Sequence, residues 1–208
     1  MPTKENKKVL IIIFLIITIA SIAMVFQKSN QYQHNLYINS DEISSSLKDG
    51  DVIFRMGDAV WSLYFRDMSP TDKRFSHLGI VRIRNNHITV ISAEALTEGG
   101  DFVKEVTLGK FLSHALSAGI YRVNNIDGAL ISDAAVEYVG CPFDWDFDKD
   151  EDEKIYCSEL LYAVLKKLDP SIKLNTTWIS RVNKYVVPID VYLQTEYFTQ
   201  IGYWGKKR

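Results

Sequence analysis

Cysteine is nearly absent from this sequence: its 208 residues hold two, Cys141 and Cys157. They could form one bridge at most, and forming it would remove any thiol chemistry. A chain with 47% hydrophobic residues builds an ordinary core without such a staple, so both are read as free thiols. An excess of one charge is lacking too. Lys and Arg number 24 against 26 Asp and Glu, a net charge of −2, which leaves no electrostatic footprint for nucleic acid. Histidine is scarce, and His34, His87 and His114 have no mutual spacing that makes a metal site. Asp144, Asp146 and Asp148 mimic the start of a calcium loop, but Lys149 stands at its glycine position and Ile155 at its bidentate-glutamate position, so the run reads as a solvated loop. No metal or cofactor is expected. Internal repeats and low-complexity tracts are missing as well, which leaves one α+β domain behind one appendage.

The appendage is the run Val9 to Phe26, which carries no charge. At about 1.5 Å per residue it spans roughly 27 Å, close to the thickness of a hydrocarbon core, so a single transmembrane helix is expected. Lys4, Lys7 and Lys8 precede it and only Lys28 follows closely, a bias that keeps the N-terminus in the cytoplasm and places the rest of the chain outside. A cleaved signal peptide is the competing reading, with Ser21 and Ala23 as small residues near a cleavage site. The run is long for a signal sequence, which favours an uncleaved anchor. The expected organisation is therefore an anchor or signal over 1–28, a linker over 29–46 and a globular domain over 47–208.

Within the domain, Ser76 to Arg84 and His87 to Ala95 are strand-like runs separated by Asn85-Asn86, a pair suited to a two-residue type I′ turn. If Arg84 and His87 close that turn, facing residues sum to 171 and His77 lies opposite Glu94. Facing Cβ atoms sit about 5 Å apart, close enough for a carboxylate to accept a hydrogen bond from an imidazole. A one-residue slip would destroy the pairing. Further helices are expected over Ala59 to Asp67, Thr107 to His114, Gly128 to Val139 and Tyr156 to Leu168, and further strands at Asp51 to Phe54, near Val103 and at Gly119 to Val123. The last forty residues are read as short elements only.

Cys157 opens the Tyr156 to Leu168 helix, and its spacing to Leu160, Leu161 and Val164 aims it at the packed face. The bland reading is a small buried hydrophobe. The functional one is a thiol whose pKa is lowered by the helix N-terminus and a nearby imidazolium. A cysteine, a histidine and an acid that fixes the imidazole tautomer are the parts of a thiol hydrolase. The candidates are Cys157, His77 and Glu94.

At these residues the sequence resembles a known family. Gly50-Asp51-Val52-Ile53-Phe54, Phe75-Ser76-His77-Leu78-Gly79-Ile80-Val81, Ala93-Glu94-Ala95, Gly140-Cys141-Pro142-Phe143-Asp144 and Tyr156-Cys157-Ser158-Glu159-Leu160 are similar to segments of the YiiX/YebB-like permuted papain-like amidases of the NlpC/P60 group. The similarity runs from about Leu47 to Val191. It implies a circularly permuted papain-like fold, with an antiparallel sheet packed on helices and the histidine ahead of the cysteine. It also implies Cys157 as nucleophile, His77 as base and Glu94 as the third polar member. In this reading Cys141 has a packing role.

Three functions compete: hydrolysis of an extracytoplasmic peptide or amide, with cell-wall peptides the obvious class; hydrolysis or transfer of lipid acyl groups; and an anchored ligand-binding domain with an inert thiol. The partners are accordingly a peptide, amide or lipid substrate and the membrane.

Overall fold

A computed structural model describes residues 15–28, 37–97, 99–148, 153–194 and 196–205 of the chain. The chain divides into two compact units, Met1–Tyr37 and Ile38–Arg208. In the first, residues 15–28 are helical (α1). Residues 9–14 of the expected membrane span lie outside the described residues. The described part would reach only about 21 Å, and among the described residues no helix is long and apolar enough to cross a membrane.

The second unit is built on a six-stranded antiparallel sheet in the order β4-β3-β2-β1-β5-β8. Its strands are β1 (Val52–Gly57), β2 (His77–Arg84), β3 (His87–Glu94), β4 (Phe102–Thr107), β5 (Ala115–Val123) and β8 (Phe198–Gly205); β6 (Thr177–Ile179) and β7 (Lys184–Val186) form a separate small hairpin. The helices are α2 (Ser40–Ser44), α3 (Val60–Arg66), α4 (Leu108–Phe111), α5 (Gly128–Val136) and α6 (Cys157–Leu168).

Both faces of the sheet are covered, which is why its central strands carry apolar residues at consecutive positions instead of alternating ones. Val52, Phe54, Leu78, Ile80, Ile91 and Ala93 enter one core with Leu160, Leu161 and Val164 of α6 and Ile131 and Ala135 of α5. Ile53, Val81 and Val90 enter the other, against Ile43 of α2 and Phe111 of α4. The β2–β3 register is the expected one, with Arg84 facing His87 and Ile80 facing Ile91. Asn85 (φ 50°) and Asn86 (φ 62°) both take the left-handed conformation that a type I′ turn demands.

α2 falls where the sequence suggests a helical turn from Asp41 to near Leu47; its Ile43 is fully buried, and the cap is Asn39, which accepts from the Asp41 N–H at 3.0 Å. Two features differ from the reading of the sequence. The last forty residues include β8, eight residues long, which pairs with β5 along the edge of the main sheet. The acidic run is not merely solvated. Asp144 is fully buried and accepts hydrogen bonds from the N–H groups of Asp146 and Asp148.

Candidate active site

Cys157 is the first residue of α6, and its neighbours in sequence explain why that helix start stays where it is. The Tyr156 hydroxyl accepts from the Val187 N–H at 2.9 Å, and the Ser158 hydroxyl donates to the Val187 carbonyl at 2.7 Å. The Glu159 carboxylate accepts from the Tyr156 N–H at 3.4 Å, satisfying a donor at the helix start. Tyr192, fully buried, donates to the Ser158 carbonyl at 2.5 Å. The residues flanking the cysteine thus tie the helix start to the 187–192 segment.

Cys157 and His77, each the first residue of its element, line one cavity of about 310 Å³ together with Arg55, Trp61, Glu94 and His114. The side-chain period of two puts His77 and Glu94 on the sheet face of Val81 and Val90. There His77 Nε2 lies 3.1 Å from Glu94 Oε1, and the imidazole stacks on Phe111 with centroids 5.6 Å apart. With Nε2 turned to the carboxylate, Nδ1 is the nitrogen left for the thiol. Glu94 Oε1 also accepts a hydrogen bond from the fully buried Ser92 hydroxyl, and Arg55 Nη2 stands 3.7 Å from Oε2.

The electrostatics follow from this arrangement. Burial by itself lowers the His77 pKa. The Glu94 charge and then the Cys157 thiolate outweigh it and raise the value to about 9. Burial pushes the Glu94 carboxyl up, but His77, Arg55 and Ser92 together hold it down at about 2. A His77 imidazolium held by the Glu94 carboxylate is therefore the favoured state of that pair near neutrality, with the Cys157 sulfur beside it. Such a group can stabilise a thiolate and then deliver a proton.

All three candidate residues thus come together in one cavity. Arg55 and Ser92 were not legible as site residues, since an alternating strand carries such polar residues on solvated faces as well. His114, read as structural, takes a left-handed conformation (φ 63°) at the cavity wall, where its Nδ1 lies 3.4 Å from Asp58 Oδ2. His87 is at the hairpin turn, with Nδ1 3.0 Å from the Asn85 carbonyl; His34 lies outside the described residues. Cys141 and Cys157 are both free thiols, and burial raises the Cys141 pKa. Among the described residues no group of three or more His, Cys, Asp or Glu side chains is placed to hold a metal ion.

A sheet that carries histidine, a helix that opens on cysteine and a histidine that comes first in the chain are the arrangement expected of a papain-like fold of permuted order. The chain belongs to the permuted papain-like amidase family YaeF/YiiX, C92, whose family model matches residues 46–188. It is therefore a member of a cysteine-type amidase family. Both α2 and β8 lie outside the matched stretch. Among solved structures the fold is similar to that of YiiX from Escherichia coli O157:H7, described as a metalloprotein. That match has a TM-score of 0.64 and 18% identity and covers 77% of this chain and 99% of the other. No curated protein matches the sequence.

Proposed function

We propose that the protein is a membrane-anchored, extracytoplasmic amidase in which Cys157 is the nucleophile, His77 the proton carrier and Glu94 the group that orients and charges the imidazole. The observation that carries this reading is the shared cavity, in which a helix-start thiol meets an imidazole held 3.1 Å from a buried carboxylate. In this mechanism the thiolate attacks the amide carbonyl carbon, and the oxyanion forms near the backbone N–H of Cys157 at the start of α6. The His77 imidazolium gives its proton to the leaving nitrogen, and an acyl thioester remains on Cys157. His77, now neutral, takes a proton from water, whose oxygen attacks the thioester. The carboxylic acid leaves and the thiolate and imidazolium are restored. A peptide or amide substrate accords with the family, and cell-wall peptides are the class we favour.

The test is the rate of iodoacetamide labelling at Cys157 against pH. A folded pKa of about 9 means that the His77 imidazolium is present below that pH and is lost as pH rises through it. Wild-type protein should therefore label fast at pH 6.5. His77→Ala should label up to about a hundredfold more slowly there, because a free thiol of pKa about 8.5 is only about 1% thiolate at that pH. Glu94→Gln removes the charge that raises the His77 pKa, so its rate at pH 7 to 8 should fall between the two. Slow wild-type labelling that ignores both substitutions would mean a structural cysteine.

Membrane attachment and export rest on the charge-free run Val9 to Phe26 and the lysines before it. Full-length protein should stay with the membrane in alkaline carbonate, and protease added to intact spheroplasts should digest its domain. Release by carbonate, or protection from protease, would refute the placement.

A lipid acyl substrate is the second reading. It is favoured by α3 at the cavity mouth, which buries none of its residues and leaves Val60 81%, Trp61 51% and Leu63 46% exposed. Release of fatty acid from acyl lipids, with peptide amides left intact, would select it.

A further inference from the structure

Arg55 is a cation on the cavity wall whose guanidinium donates no hydrogen bond among the described residues. It stands on β1 directly opposite His77 of β2, and its guanidinium lies over the Phe111 ring at 5.0 Å, the same ring on which His77 stacks. Its side chain is 20% exposed. Nε is buried and without a hydrogen-bond partner, and among the described residues no hydrogen bond reaches any of its guanidinium nitrogens. The nearest acid is Glu94, and 3.7 Å from Nη2 to Oε2 is an ion pair at the limit of contact, not a hydrogen bond. Glu94 is already engaged by His77 and Ser92. The other acid on the cavity wall, Asp58, is paired with His114.

A partly buried guanidinium whose Nε is fully enclosed without a partner carries a cost that an arriving acceptor would relieve. The group that matches its planar fork is a carboxylate, which accepts two parallel hydrogen bonds. The remaining wall, with Trp61, Phe65 and Phe143, offers apolar surface and no second fixed cation beside Arg55 and His77. We propose that Arg55 is a specificity residue that binds a carboxylate of the substrate, so that the enzyme prefers amides carrying a free carboxylate close to the scissile bond. This rests on the reading of the cavity as a thiol hydrolase site. It goes further in naming the charge of the substrate and the residue that recognises it.

The competing role for Arg55 is to support the charge of Glu94 alone, and the experiment separates the two. Cys157 in the full-length protein is alkylated at pH 7 with N-bromoacetylglycine or with N-bromoacetylglycinamide, reagents with the same electrophile but an anionic and a neutral tail. Wild-type protein should react with the anionic reagent about tenfold faster, the gain expected of one charge-assisted contact. Arg55→Met should lose that preference while still reacting with the neutral reagent. Arg55→Lys, which keeps the charge and loses the fork, should retain part of it. His77 is present in every variant, so its own attraction for the anion cancels in the comparison. Equal wild-type rates for the two reagents would overturn the proposal. So would Arg55→Met slowing both by one factor, the signature of a role through Glu94, and so would an unchanged preference in Arg55→Lys and Arg55→Met together. Failure of Cys157 to react even with iodoacetamide would instead refute the hydrolase reading on which the proposal stands.

Discussion

Cys157→Ser should fold like the wild type and lose about a thousandfold or more of its hydrolysis of peptide or amide substrates. The substitution exchanges sulfur for oxygen in a small, buried side chain at a helix start, so packing in the α5–α6 core changes little. The chemistry changes greatly. A thiol becomes a thiolate beside an imidazolium near neutral pH, whereas a serine hydroxyl does not ionise there and would need His77 as a true base from the outset. His77 sits poorly for that task, since the Glu94 charge raises its pKa to about 9 and favours its protonated form. Residues that act as a unit fail as a unit, so the loss should be near the full contribution of covalent catalysis. Thermal unfolding and turnover, measured on one preparation, check the claim. A folded serine variant that keeps a tenth or more of the activity would refute Cys157 as nucleophile.

The second large effect concerns stability and lies away from the site. Gly128→Ala should cost about 3 kcal/mol, which for a domain of this size is a fall of about 10 °C in melting temperature. Gly128 opens α5 where the turn before β1 crosses it, and a Cβ there would lie 1.9 Å from the Asp49 carbonyl oxygen. That oxygen cannot easily withdraw. The Asp49 carboxylate accepts from the Ile83 N–H at 2.9 Å and from Arg84 at 2.5 Å, and the next residue, Gly50, donates its N–H to the Val81 carbonyl at 2.9 Å. Gly50 itself has φ +76°, and its own Cβ would meet the Gly128 backbone at 2.3 Å. Gly109→Ala in α4 is the control, since its Cβ would meet nothing nearer than the Ser40 hydroxyl at 3.8 Å. Differential scanning calorimetry of the two variants decides the matter. Equal melting temperatures would show that the crossing of the β1 turn over α5 can open without penalty.

Much of the site was legible before the fold was known because its signals are local. Asn85-Asn86 selects the turn, the turn sets the register, and the register puts His77 opposite Glu94, a chain of inference that needs only the geometry of one hairpin. The position of Cys157 at a helix start is local in the same way, since the 3.6-residue period begins there. Other features were hidden because they depend on residues far apart in sequence. Phe198–Gly205 is a largely exposed edge strand with little alternation of apolar residues, and only its pairing with β5 makes it part of the sheet. The buried Asp144 looks like one member of a solvated acidic run, because its partners are backbone N–H groups, which sequence composition does not reveal.

By itself, then, the sequence determined the free thiols, the hairpin register, the helix that opens on Cys157 and the family to which these motifs belong. These rest on hydrogen-bond geometry and side-chain periodicity over a few residues. Only the tertiary structure decided that Val187 and Tyr192 hold the start of α6, that Phe111 underlies both His77 and Arg55, and that Arg55 lines the cavity with its Nε unpartnered. Each of these contacts joins residues tens of positions apart. They form because two packed cores bring the two faces of one sheet to a common end, and no local preference in the chain encodes that meeting.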